Sequence, residues 1–174
     1  QTIMSKKFIF LCMAVVWATT IMAQNIAVVS PSGETSLYKT LQEAVDGAED
    51  GSVVYLPGGS FVFSAIHINK KLSIIGIGHK SESPDGITYI DGLVYFDEGS
   101  SGSSLMGCYL EDNVYIQAEV NDITIRHNRL STVYTGGKRT FINENYITHV
   151  YGCQVNTSIH SSDISVTHNV GAPG

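Results

Sequence analysis

The chain predicts an all-β fold: a right-handed parallel β-helix with a capping α-helix at its N-terminal end. Three observations carry that expectation. First, "IRHNRLSTVY" (Ile125 to Tyr134) and "INENYITHVY" (Ile142 to Tyr151) share the layout aliphatic-x-x-Asn-x-aliphatic-x-x-Val-Tyr, 17 residues apart. A short period with fixed apolar and Asn positions marks stacked repeats. Second, Val-Tyr recurs at Val94-Tyr95, Val114-Tyr115, Val133-Tyr134 and Val150-Tyr151, at intervals of 20, 19 and 17 residues. Third, the 174 residues are 43% hydrophobic and 15% charged, with 17 glycines. Val, Ile, Tyr and Thr are common, which suits short strands joined by tight turns.

The elements follow in order. Lys6 and Lys7 precede the apolar run "FIFLCMAVVWATTIMA" (Phe8 to Ala23), and a small residue closes it. That is the pattern of an export signal cut after Ala23. The run is short for a membrane span of roughly 20 residues and is broken by Thr19 and Thr20. Residues 1–23 are therefore expected to be a signal peptide, with Gln1 to Ile3 ahead of a natural-looking start at Met4. Residues 24–174 are expected to form one β-helix domain. That domain carries 8 basic and 16 acidic side chains, a balance that argues against nucleic-acid or anionic-membrane partners.

"NIAVVS" reads as a first strand and "PSGETS" as a turn. "SLYKTLQEAVDGAEDG" places Leu37, Leu41, Ala44, Val45 and Ala48 on one helical face, with Thr35 or Ser36 as N-cap. "SVVYLPGGSFVF" is a strand, a Pro-Gly-Gly turn and a strand. "AIHINKKLSIIGIGH" gives two more strands around Asn69-Lys70-Lys71. "SESPDG" is a loop and "ITYIDG" a further strand. From Leu93 onward the rows align. The ladder position holds Asn128, Asn145 and Asn169, and one row earlier "LMGCYL" puts Cys108 in the same slot.

Each coil is expected to supply three short strands, stacked about 4.7–4.9 Å from its neighbours. Val and Ile fill the core. An Asn at a constant corner can take left-handed or near-left-handed backbone geometry and bond to the next coil's Asn. Cys108 fits that slot as a small buried hydrophobe. Cys153 is expected in a different strand three coils away, too far to bridge to it. An antiparallel β-sandwich is the alternative, but it calls for hairpin turns and gives no reason for Asn in phase with Val-Tyr.

"YKTLQEAVDGAEDGSVVYLPGGSFVFSAIHINKKLSIIGIG" resembles the N-terminal coils of the pectin-lyase-like superfamily. The pattern is a helix at Thr40 to Ala48, a strand into a Pro-Gly turn at Val53 to Gly59, and I-x-I-x-K-x-L-x-I-x-G over Ile66 to Gly76. With the later I-x-x-N-x-I rows it covers nearly all of residues 25–170. The resemblance implies that the helix closes the open end of the coil stack, with Leu37, Leu41 and Val45 plugging the core. "THNVGAPG" offers no equivalent cap. The chain is therefore expected to be the N-terminal part of a longer protein, or else to pair its last coil end to end with another chain.

The signal pattern, bacterial in type, implies a secreted, periplasmic or surface-bound protein, and the resemblance implies one that binds or cleaves polysaccharide. A non-catalytic adhesin-like scaffold is the alternative, since this fold hosts many functions. An enzyme of this kind would be a polysaccharide lyase or a glycoside hydrolase or esterase, with its active site in this segment or in further coils. Lyases of the group need acidic ligands for Ca2+ and a basic residue; hydrolases need paired carboxylates on one face. The acids Asp97, Glu98, Glu111 and Asp112 are the candidates for a metal. Glu119 and Asp122 are further acids, and Lys138 and Arg139 the candidate bases. Tyr95, Tyr115, Tyr134 and Tyr151 should point outward as one column, a platform for sugar rings. Stacked tyrosines stabilise a sheet whatever binds, and acids in turns are commonly turn formers. His127, His149, His160 and His168 lack zinc-site spacing; His127 and His168 share the position before a ladder Asn. Asn156-Thr157-Ser158 matches a glycosylation acceptor, of little weight behind a bacterial-type signal.

Overall fold

A computed structural model describes residues 25–80, 86–152 and 165–171. The signal segment, the "SESPDG" loop from Ser81 to Asp85, Cys153, Asn156 and His160 lie outside the described residues. The polypeptide winds into stacked coils of a parallel β-helix, with five full coils and the start of a sixth.

Each coil contributes to both of two sheets, with one strand in each except in the third coil. The first coil is β3 (Ser52–Tyr55) and β4 (Gly59–Ile68), and the second is β5 (Leu72–Ile75) and β6 (Thr88–Phe96). The third is β7 (Ser104–Met106) followed by β8 (Tyr109–Leu110) and β9 (Val114–Ile116). The fourth is β10 (Thr124–Arg126) and β11 (Arg129–Thr135), and the fifth β12 (Phe141–Asn143) and β13 (Tyr146–Gly152). β14 (Ser165–Thr167) and β15 (Val170–Gly171) begin the sixth. The expected three strands per coil are thus drawn differently. The second and third run on as one strand in most coils, and separate only in the third, where Glu111-Asp112-Asn113 intervenes between β8 and β9. Asp and Asn favour turns over pleated backbone. β11 pairs with β8 at Leu130 and with β9 at Val133, one residue fewer than the third coil uses. That missing residue is why the Val-Tyr interval falls from 20 to 19.

Inward side chains follow the register. Ile74, Leu105, Ile125 and Ile142 stack in the first sheet, and Ile90, Leu110, Leu130 and Ile147 in the second. All are buried. Removing such a side chain from water contributes about 1.5–3 kcal/mol, so each coil's core residues hold it to its neighbours.

The N-terminal end departs from the expected reading. β1 (Ile26–Val29) pairs antiparallel with both β3 and β2 (Thr35–Tyr38). "TSLY" is therefore a hairpin strand, formed across a turn in which Gly33 takes a φ of 88°, and it does not belong to the helix. Leu37 is 63% exposed on it and plugs nothing. The helix α1 spans Leu41–Gly47 and is capped by Thr40, not by Thr35 or Ser36. Thr40 Oγ1 accepts from the Glu43 backbone N–H at 3.2 Å, and the Glu43 carboxylate accepts from the Thr40 N–H at 3.2 Å. That reciprocal box satisfies two end donors together. Leu41, Ala44 and Val45 are buried against the first coils as the cap.

The corner between the sheets is the Asn ladder. Asn128 Oδ1 accepts from the Cys108 N–H at 2.9 Å, Asn145 Oδ1 from the Asn128 N–H at 2.9 Å, and Asn169 Oδ1 from the Asn145 N–H at 2.8 Å. Their amides donate back to the carbonyls of Leu105, Ile125 and Ile142. The left-handed residue, however, is the one before: Gly107, His127, Glu144 and His168, with φ between 53° and 71°. The turn needs its reversal outside the coil, and this frees the Asn to point inward. Cys108 occupies the ladder slot fully buried, and burial pushes its thiol up to about 12, so it stays neutral.

Candidate functional site

The second sheet presents two outward columns, set by its parallel register. One consists of His67, Tyr95, Tyr115, Tyr134 and Tyr151. The rings lie nearly parallel. Centroids are 4.8 Å apart from His67 to Tyr95, 4.9 Å from Tyr95 to Tyr115, 4.9 Å from Tyr115 to Tyr134 and 5.3 Å from Tyr134 to Tyr151. Because the strand spacing brings each ring onto the next, the ring faces are turned largely on one another. Edges and hydroxyls remain outward, and Tyr151 at the end of the stack is 48% exposed. His149, two residues back, lies 5.7 Å from Tyr151. His67 at the head of the column holds the Asp97 carboxylate 2.7 Å from its Nδ1.

The second column, Tyr89, Tyr109, Arg129 and Tyr146, is one that the sequence reading missed. Its signal was present: Tyr109, Arg129 and Tyr146 each follow a ladder residue. Tyr89 and Tyr109 meet edge to face at 5.1 Å, and the Arg129 guanidinium lies 4.6 Å over the Tyr109 ring. The Tyr89 hydroxyl donates to Glu111 at 3.3 Å. Partial desolvation, and then the Glu111 charge, hold the Tyr89 phenol above its ordinary value. Tyr109, Glu111, Arg129, Ser131 and Thr148 line a shallow polar groove of about 210 Å³. His67 could likewise have been found in the sequence, since Ile66-His67-Ile68 aligns with Val94-Tyr95-Phe96.

The candidate metal residues do not converge. Asp97 and Glu98 follow the C-terminal end of β6, whereas Glu111 and Asp112 follow β8, which pairs with the N-terminal part of β6. No group of three or more His, Cys, Asp or Glu side chains that could hold a metal forms among the described residues. Glu119 is exposed in the turn between β9 and β10. Arg139 forms a two-pronged pair with Asp122, at 2.6 and 2.7 Å, and holds that carboxyl below its ordinary value. The Lys138 N–H donates to Asn121 Oδ1 at 3.1 Å, so the Lys138-Arg139 turn is tied to the coil before it. His127 and Arg126 both approach Glu144 at the Asn corner, at 2.7 and 3.3 Å.

Comparison of the chain with protein-family models, with curated proteins and with solved structures finds no match.

Proposed function

We propose that this chain is an exported parallel β-helix that binds polysaccharide along the outward face of its second sheet. A single observation carries the reading: an aromatic column and a polar groove lie side by side on one face. A glycan offers alternating apolar ring faces and hydroxyl edges. Tyr109 and Arg129 with the groove hydroxyls of Ser131 and Thr148 supply partners for both. Binding is favoured over cleavage on these coils, because the four candidate acids do not converge, the base Arg139 is held in its pair with Asp122, and Glu111 and Arg129 are already engaged with tyrosines. Ca2+ bridging an acidic glycan to Glu111 and Asp112 would widen the range of ligands.

A non-catalytic scaffold is the second reading. It is favoured by the way the tyrosine faces cover one another, since that stacking steadies the sheet without any ligand.

The test is binding of the purified chain to acidic and neutral polysaccharides, with and without Ca2+, while following the ultraviolet absorbance of unsaturated uronides. Binding that is lost in a folded Tyr109→Ala/Arg129→Ala variant, with no rise in absorbance, is the expected result. Rising absorbance would place cleavage on these coils instead. No binding by folded chain would leave the scaffold reading.

A further inference from the structure

Tyr95, Tyr115, Tyr134 and Tyr151 stand cofacial on four successive coils, with interplanar angles of 11°, 6° and 17° along the stack. Parallel pairing fixes each phenol opposite the next. The first three are half-buried and Tyr151 is exposed, and the Tyr115 hydroxyl accepts from the Asn113 amide at 3.5 Å. Phenols give up an electron readily once their proton can leave. The Cys108 thiol is buried and does not compete for an oxidant.

We infer that this column is a site of oxidative modification, in which hydrogen peroxide with a haem peroxidase joins the phenols of adjacent coils as dityrosine. Each of two tyrosines loses one electron and the proton of its hydroxyl. Those two electrons and two protons reduce one peroxide to two waters. The phenoxyl radicals then form a carbon–carbon bond between the ring positions next to the hydroxyls. Each bonded carbon passes its hydrogen, as a proton, back to oxygen and the phenols are restored. The rings must turn about the Cβ–Cγ bond to bring those carbons together, and outward edges leave room to do so. Holding the partners one coil apart makes coupling effectively unimolecular.

The other tyrosines are less well placed. Tyr89 and Tyr109 meet at 83°, edge to face, and the Tyr89 hydroxyl is bonded to Glu111. Tyr38 pairs with Ile26, Tyr55 with Ala27 and Ile75, and Tyr146 with Arg129 and Val170. The product would be a covalent staple between coils.

The experiment treats the full chain with a haem peroxidase and dilute hydrogen peroxide, isolates the monomer, and maps dityrosine peptides after cleavage at Lys/Arg and Asp/Glu. Tyr134 lies between Arg129 and Lys138 and so separates from both of its neighbours. Cross-links of Tyr115 to Tyr134 and of Tyr134 to Tyr151 are expected, with a raised thermal midpoint. Tyr115→Phe keeps the ring and the stack. It should abolish the links to Tyr95 and Tyr134 and spare Tyr134–Tyr151. Treatment in urea should scatter the pairs. No dityrosine, only intermolecular links, or monomer links spread over Tyr38, Tyr55, Tyr89, Tyr109 and Tyr146 in the folded chain would overturn the inference.

Discussion

Asn128 is fully buried, and its amide is engaged on both sides. Its oxygen holds the Cys108 N–H, and its nitrogen donates to the Leu105 carbonyl at 2.9 Å and to Asn145 Oδ1 at 3.3 Å. Asn128→Ala takes the partner from a donor, the Cys108 N–H, and from an acceptor, the Leu105 carbonyl, both on the third coil. The expected loss is about 2–4 kcal/mol of stability, read from the urea midpoint, because each unmet buried group costs about 1–3 kcal/mol. Asn128→Asp keeps the acceptor but aims a carboxylate at a carbonyl, so it should also destabilise. A change within about 0.5 kcal/mol for Asn128→Ala would mean that the ladder bonds carry no weight. The ladder was legible in the sequence because only an amide can serve both roles, so its residue type repeats. The left-handed residue beside it was not. Gly107, His127, Glu144 and His168 fill that position, and a position defined by backbone angle leaves no single chemical type to read. Three of the four accept an unfavourable conformation there, at about 1–2 kcal/mol each. His127 and Glu144 recover part of this through their 2.7 Å pair, although exposed pairs contribute little.

At the level of elements, the strands were legible from alternation and the helix from its apolar face, but the helix boundary was misplaced. "TSLY" and "TLQEAV" run together as one apolar pattern, and Leu37 falls on the helical face by spacing alone. What separates them is pairing: Ala27 faces Leu37 and Val29 faces Thr35 across a hairpin that sequence periodicity does not register. The true start was marked by Thr40 and Glu43, three residues apart, the signature of a capping box. Thr40→Ala should therefore cost about 1 kcal/mol, with Thr35→Ala and Ser36→Ala nearly neutral. Equal losses at all three, measured by thermal melting, would contradict this cap assignment. The Tyr column was foreseen as outward-facing, and it is. Sequence spacing could not say that the rings would lie face to face, since that follows from the strand spacing being close to the preferred separation of stacked rings. The Arg129–Tyr109 column escaped notice because one of its members is a cation where its neighbours are aromatic.

Across the whole molecule, contacts run almost entirely from each coil to the next, so stability is close to a sum of coil terms and neighbour interfaces. That makes the consequences of a core lesion local as well as large. Ile125 is fully buried between Leu105 of the third coil and Ile142 of the fifth. Ile125→Ala removes packing from both interfaces and is expected to cost about 2–5 kcal/mol. In a globular core such a loss would be shared by the whole domain. In a coil stack it should instead weaken the seam around β10 and leave the first two coils, closed by α1 and the β1–β2 hairpin, folded. Hydrogen exchange distinguishes the two. Amides of β10, β11, β12 and β13 should lose protection in Ile125→Ala, while those of β3, β4, β5 and β6 keep theirs. A uniform drop across all coils would show that the stack unfolds as one cooperative unit. In that case the repeat visible in the sequence would describe the geometry of the fold but not its energetics.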